Sequence, residues 1–358
     1  MDGNKDAMTK ETMMAVRKVR AAPGLDYVQT DVPAPADDEL LLKVRACSMC
    51  GTDIHIYNWE SPWSESRFVP PKTLGHEVNG EVIAVGRSVR GFEIGDSVSA
   101  ESHIPDWTCS LCKQGQMHIC ENVKFFGIDV NGFFAPYAVM PATNAWKNPA
   151  SLKPEIATLK ESIGNSVYTV SEGHVSGKNV VIFGLGPTGL FATGIAKKLG
   201  AACVITVGGT DLHRRIAKQM GADAVINRNE EDVLTRIREE TDGRGPDVVL
   251  EMSGAVPALQ QSLDIVRPTG IVCVLGLPTT IVPLDISKKL VLKDVTLRGV
   301  YGRRIWDTWK ITSDLLDNRK LDISPIITHR LQLSNFEEGI AAMKAGNCGK
   351  VVMFPGKE

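Results

Sequence analysis

The sequence predicts an α/β protein of two unlike parts: a small barrel-like β domain and a doubly wound domain on a parallel sheet. Three observations carry this expectation. The first half holds short Val-, Ile- and Leu-rich runs punctuated by Gly and Pro. From about residue 177 strand-length apolar runs alternate with helix-length amphipathic ones. A glycine turn, "GLGPTG", joins the first of those strands to its helix.

In chain order, "ELLLKVRACSM", "EVNGEVIAVG", "FEIGDSVSA" and "FFAPYAVMP" are the expected strands of the β domain. "NVVIFGLGPTGLFATGIAKKLGA" then reads as buried strand, turn and helix, and "CVITVGGTDLHRRIAKQMGA" repeats that order. "AVINR", "DVVLEMSG", "GIVCVLG" and "VTLRGVYG" continue the strands, with a helix near "PALQQSLDIV". Such alternation implies parallel strands joined by right-handed crossovers. The final stretch changes style again, with a helix at "WDTWKITSDLLDN" and strands at "SPIITHRL" and "GKVVMF". The expected division is 1–165 for the β domain, 166–302 for the doubly wound domain, and 303–358 for a return to the first.

Composition narrows the function classes. The chain has 358 residues, 43% hydrophobic and 23% charged, with a formal net charge of -2. Nothing in that balance favours nucleic acid or an anionic membrane. No apolar run nears the roughly 20 residues of a membrane-spanning helix. The N-terminus lacks an apolar h-region, so no signal peptide is expected, its first dozen residues read as a disordered lead-in, and the expected location is cytoplasmic. Eight cysteines in such a chain are not expected to form disulfides. Five of them, Cys47, Cys50, Cys109, Cys112 and Cys120, fall in the first third.

Gly184, Gly186 and Gly189 stand in G-x-G-x-x-G spacing between a strand and a helix. Gly184 permits the tight turn and Gly186 lets backbone approach a pyrophosphate. Gly189 lets helix pack on strand, while the helix start at Pro187 and Thr188 offers N–H donors to the anion. A purely structural turn is the competing explanation, and the β/α units that follow argue against it. The second strand ends at Gly208 and Gly209, where NAD binders usually carry an acid for the ribose 2′-hydroxyl. Two small residues leave space for a 2′-phosphate that Arg214 or Arg215 would neutralise, so NADP is expected slightly ahead of NAD. Asp211 competes as a helix cap.

Asp106, Cys109, Cys112 and Cys120 in "DWTCSLCKQGQMHIC" suit a closed tetrahedral zinc site, which would be structural. Cys50 and His76, with a carboxylate, offer three ligands and an open position, as catalytic zinc requires. Such a zinc lowers the pKa of a bound alcohol so that hydride can leave. Cys47 is expected to pack within a strand.

With Cys50-Gly51-Thr52-Asp53, Gly75-His76-Glu77, the cysteine lobe and the glycine turn in this order, the chain resembles the medium-chain zinc alcohol dehydrogenase superfamily. Within it, "CGTDIHIYNWE", "ESHI", "GNSVYTV", "YGRRIWDTW" and "SPIITHR" are similar to the L-threonine 3-dehydrogenase group. The resemblance implies a GroES-like catalytic domain around a Rossmann domain, in a homotetramer. It implies zinc held by Cys50, His76 and Glu77 or Glu161, with Glu161 as an exchangeable carboxylate. Thr52 would bond the reacting hydroxyl and His55 would pass its proton towards solvent. Asp106 replaces the first of four usual cysteines, Gly208 replaces the usual acid, and Tyr168 stands where that group usually has His.

The expected activity is zinc- and NAD(P)-dependent oxidation of a small-molecule secondary alcohol to a ketone, with L-threonine to L-2-amino-3-ketobutyrate as the best candidate. A polyol or sugar dehydrogenase is the alternative on the same scaffold, and a non-catalytic nucleotide-binding protein the alternative of another class. An amino-acid substrate needs a cation for its α-carboxylate, and Arg303 and Arg304 of "YGRR" are near in sequence.

Overall fold

The computed structural model describes residues 11–60 and 67–356, so most of the expected N-terminal lead-in lies outside the described residues. Thr12 already opens strand β1 (Thr12–Lys18), which pairs with β2 (Asp26–Asp31).

The functional region is built on a mostly antiparallel sheet. Its spine is β3 (Glu39–Ser48) beside β5 (Glu77–Val85), with β4 (Lys72–Thr73) lying against β1. β3 alternates partly and fully buried residues through Leu40, Leu42, Val44 and Ala46, as a half-covered strand should. The register sets Ser48 opposite Glu77 and Cys47 opposite Val78. The side chain of Cys47 is fully buried, as expected.

The second sheet has six parallel strands: β6 (Asn179–Phe183), β7 (Cys203–Gly208), β8 (Ala224–Asn227), β9 (Val248–Glu251), β10 (Ile271–Val274) and β11 (Thr296–Gly299). Their spatial order, β8-β7-β6-β9-β10-β11, reverses direction at β6. In open α/β sheets the ligand crevice lies at such a switch point, beyond the carboxyl ends of the strands. Val180, Val181, Ile182, Val204, Ile205, Val248 and Val249 are fully buried, because helices cover both faces.

Two elements join the parts. Helix α2 (Lys160–Glu172), downstream of α1 (Gly51–Asn58), is buried on nearly every side and carries Glu161 and Tyr168. The expected boundary at 165/166 falls inside this helix. The C-terminal strands β12 (Ile327–Gln332) and β13 (Lys350–Phe354) return to the first sheet, where β13 pairs with β3. No helix among the described residues is long and apolar enough to cross a membrane.

Candidate active site

Cys50 lies two residues beyond the end of β3 and is the N-cap residue of α1, so the opening motif bends out of a strand into a helix. The backbone N–H of Cys50 donates to Asp53 Oδ2 at 2.9 Å, which fixes the turn. The other oxygen of Asp53 lies 3.9 Å from His76 Nδ1. One buried carboxylate thus holds the helix start and faces the imidazole. Thr52 Oγ1 sits 3.9 Å from Cys50 Sγ, and His55, one turn on, is exposed.

His76 follows Gly75, whose φ of +90° suits glycine. A Cβ there would stand 2.3 Å from Phe134 Cδ1, so only glycine lets this turn close over the core. One ligand atom each from Cys50, His76 and Glu77 lies within 4.8 Å of the others. A soft thiol, an imidazole and a carboxylate so placed suit zinc with a position left open. The charges point the same way. Burial alone would depress the imidazole of His76, but the Cys50 sulfur, Asp53 and Glu161 overcome it and raise it to about 10. The pocket favours positive charge at this point.

Both other acids near the centre have cationic partners. Glu77, fully buried, lies 2.7 and 2.5 Å from Lys350 Nζ and accepts from Ser48 Oγ. Glu161 lies 2.7 Å from Arg303 and accepts from Ser102 Oγ at 2.6 Å. Glu161 is outside the Cys50–His76–Glu77 group. Sequence reasoning passed over Lys350, Ser48, Ser102 and Glu101, because long-range partners of buried acids leave no local spacing signal.

The lobe is a separate cluster. Ligand atoms of Asp106, Cys109, Cys112 and Cys120 all lie within 4.8 Å of one another. Cys109 and Cys120 sulfurs are 3.8 Å apart. A tetrahedron with zinc–sulfur bonds of about 2.3 Å has an edge of about 3.8 Å, so the spacing fits. Asp106 accepts from Asn122 Nδ2 and from the N–H groups of Cys109 and Thr108, which together hold its carboxyl well below the usual range.

At the switch point, Gly184 has φ +94°, and a Cβ on Gly189 would stand 1.8 Å from the Gly184 carbonyl oxygen. A Cβ on Gly186 would meet nothing, which leaves the helix start of α3 (Pro187–Lys198) open to an anion. The adjoining cleft is lined by Gly184, Gly186, Gly208, Gly209, Arg228 and Ser253. Here the detail departs from expectation. A Cβ on Gly208 would collide with Leu185, 2.5 Å from Cδ1, so Gly208 faces the turn. Gly209 instead faces the Arg228 side chain, whose Nε lies 2.9 Å from where a Cβ on Gly209 would be. Arg214 is committed to Asp211 and to the Gly209 carbonyl. Arg215 lines a neighbouring hollow with Asp211, Arg214 and Lys218. Thr210, not Asp211, caps α4 (Asp211–Gln219), accepting from His213 N–H.

A donor trio with an open position, beside a parallel sheet whose glycine turn offers an anion cradle, defines a metal- and nucleotide-dependent dehydrogenase. The chain belongs to the zinc-binding alcohol dehydrogenase family: its residues 36–150 match the alcohol dehydrogenase GroES-like domain and 187–318 the zinc-binding dehydrogenase domain. It is an NAD(P)-dependent enzyme that oxidises alcohols with zinc. It is 49% identical to the L-threonine 3-dehydrogenase of Pyrococcus abyssi, over 96% of this chain and 99% of that protein. The L-threonine 3-dehydrogenase of Bacillus subtilis is 41% identical over 97% of this chain and 100% of its own. Among solved structures, a Sinorhizobium meliloti protein described as a zinc-binding dehydrogenase bound to NADP superposes with TM-score 0.90 at 28% identity, covering 97% of this chain and 100% of that one. Galactitol-1-phosphate dehydrogenase of Escherichia coli superposes with TM-score 0.87 at 26% identity, covering 96% and 100%.

Proposed function

We propose that this enzyme oxidises L-threonine at its secondary hydroxyl to L-2-amino-3-ketobutyrate, with NADP preferred over NAD. The observation that carries it is the near-full-length identity to L-threonine 3-dehydrogenases, joined to a site that groups Cys50, His76 and Glu77, with Thr52 beside Cys50. When bound, zinc would supply Lewis-acid polarisation of an alcohol oxygen and the nicotinamide would supply the hydride acceptor. Cys50 and His76 hold the metal, with Glu77 or Glu161 as the third ligand. Thr52 accepts the hydroxyl proton in a hydrogen bond. His55 stands three residues on from Thr52, on the exposed side of α1, where its imidazole can hand that proton to water. Asp53 fixes the orientation of His76. The cysteine lobe with Asp106 holds a second, structural zinc.

The preference for NADP rests on Gly209 and Arg228. An exposed guanidinium over a residue without a side chain suits a dianionic 2′-phosphate, and among the described residues Arg228 has no carboxylate partner. The assembly is a homo-oligomer, expected as a tetramer. Supporting this, among the described residues β11 pairs on one side only, with β10, and Leu277, Ile281, Ile286, Val291 and Leu292, in the segment between those two strands, are exposed.

A polyol or sugar substrate is the second reading, and one observation favours it. Arg303 is buried against Glu101 and Glu161 and cannot meet a substrate carboxylate, while Arg304 lies over the ring of Tyr168. The deciding experiment is a panel of threonine, serine, short secondary alcohols, pentitols, hexitols and aldoses with each cofactor. Threonine with the highest kcat/KM supports the first reading; a polyol ahead of it replaces it with the second. Cys50→Ser should bind cofactor and lose turnover, and retained turnover would remove the metal from the mechanism.

A further inference from the structure

Arg303 is 1% exposed, and an unmatched buried guanidinium would cost several kcal/mol. Its donors are matched from two sides. Glu101 takes Nε at 2.9 Å and Nη2, while Asn165 Oδ1 takes Nη1 at 3.0 Å and Ser102 Oγ takes Nη2 at 2.8 Å. Glu161 lies 2.7 Å from Nη1. Glu101 is itself fixed, accepting from Trp309 Nε1 at 2.7 Å and from His103 N–H at 2.9 Å. Trp309 lies on α5 (Asp307–Asp317), which follows the last strand of the parallel sheet, and is fully buried. The slot for the arginine stem is also built in: a Cβ on Gly164 would stand 2.4 Å from Arg303 Cδ.

One cation therefore serves two buried carboxylates, and its forked side is anchored on Glu101. Glu161 shares Nη1 with Asn165 and also accepts from Ser102 Oγ, itself bonded to Arg303 Nη2, and it lies outside the Cys50–His76–Glu77 group. We propose that Arg303 is a positioning residue that tethers Glu161 away from the metal, so that the Glu101–Arg303 anchor sets how firmly the centre grips its ion. This rests on the reading of Cys50 and His76 as metal ligands. If the tether is weakened, the buried carboxylate still needs a cation, and a carboxylate is an acceptable zinc ligand.

Two substitutions move the tether in opposite directions. Arg303→Lys keeps the charge but loses the fork. It should slow the release of metal to a chelator by about tenfold, the scale on which partners of ligands act. In the cobalt-substituted protein it should also change the visible spectrum, read as variant minus wild type so that the lobe cancels. Adding Glu161→Gln should restore wild-type release and spectrum. Glu101→Gln leaves Glu161 as the sole carboxylate for Arg303 and should speed release. The proposal is overturned if folded Arg303→Lys releases metal as fast as wild type or faster, if its slowing survives Glu161→Gln, or if Glu101→Gln does not speed release. Metal content separates this from failure of the underlying reading: if Cys50→Ser binds as much metal as wild type, the ligand assignment itself is wrong.

Discussion

Lys350 Nζ stands 2.5 Å from one oxygen of Glu77 and 2.7 Å from the other, and also donates to the carbonyl oxygen of Met49 at 2.8 Å. The two residues are far apart in the chain and meet because β13 pairs with β3, which in turn pairs with β5. Both side chains are withdrawn from water. Lys350→Met should leave Glu77 as an uncompensated buried charge and lower stability by about 3–5 kcal/mol. Urea denaturation measures this, and Lys350→Arg should recover part of the loss. A Lys350→Met protein as stable as wild type would show that another group neutralises Glu77.

Cofactor preference should turn on Gly209 and Arg228. Arg228→Ala should reduce kcat/KM for NADP on the order of tenfold or more while sparing NAD, since a charge-assisted contact is worth about 1.5–3 kcal/mol. Gly209→Asp should pair its carboxylate with Arg228, repel the 2′-phosphate and favour the ribose 2′-hydroxyl of NAD. Gly208→Asp should damage both cofactors alike, because the new side chain meets Leu185. The ratio of kcat/KM values for the two cofactors is the measurement.

Acid should unfold the protein partly through His103. Burial, then the neighbouring Arg303, depresses its imidazole from 6.5 to about 3; Glu101 opposes this, while His118 and His76 add to it. Its ring stacks on Tyr301 with centroids 5.6 Å apart. In the unfolded chain the imidazole takes up its proton near pH 6.5, whereas in the folded protein it stays neutral to about 3. The unfolded state therefore binds more protons in that window, and stability falls as pH drops through it. His103→Gln should flatten the dependence of Tm on pH between about 6.5 and 3. An unchanged slope would mean that His103 is protonated in the native protein.

Oligomerisation should depend on the edge beside β11. Val291→Asp and Leu292→Glu, both at exposed positions, should shift the mass measured by light scattering towards the monomer without lowering the Tm of the isolated chain. An unchanged mass would place the subunit contact elsewhere.

Much of this molecule is written locally. The β/α alternation, the glycine turn and the cysteine lobe are each set within a few dozen residues, and their periodicity and spacing survive any tertiary arrangement. Helix α2 was hidden because Gly164, Val167, Thr169 and Val170 disfavour isolated helix; burial between the two parts overrides that preference.

What only the folded chain decided is which charges neutralise which. Lys350 reaches Glu77, and Arg303 reaches Glu101 and Glu161, across long stretches of sequence. Gly208 and Gly209 are adjacent and chemically identical, yet one faces Leu185 and the other Arg228. A sequence specifies donors by type and spacing, but a buried charge is stabilised by whatever lies within a few ångströms, and that neighbourhood exists only after the strands have paired.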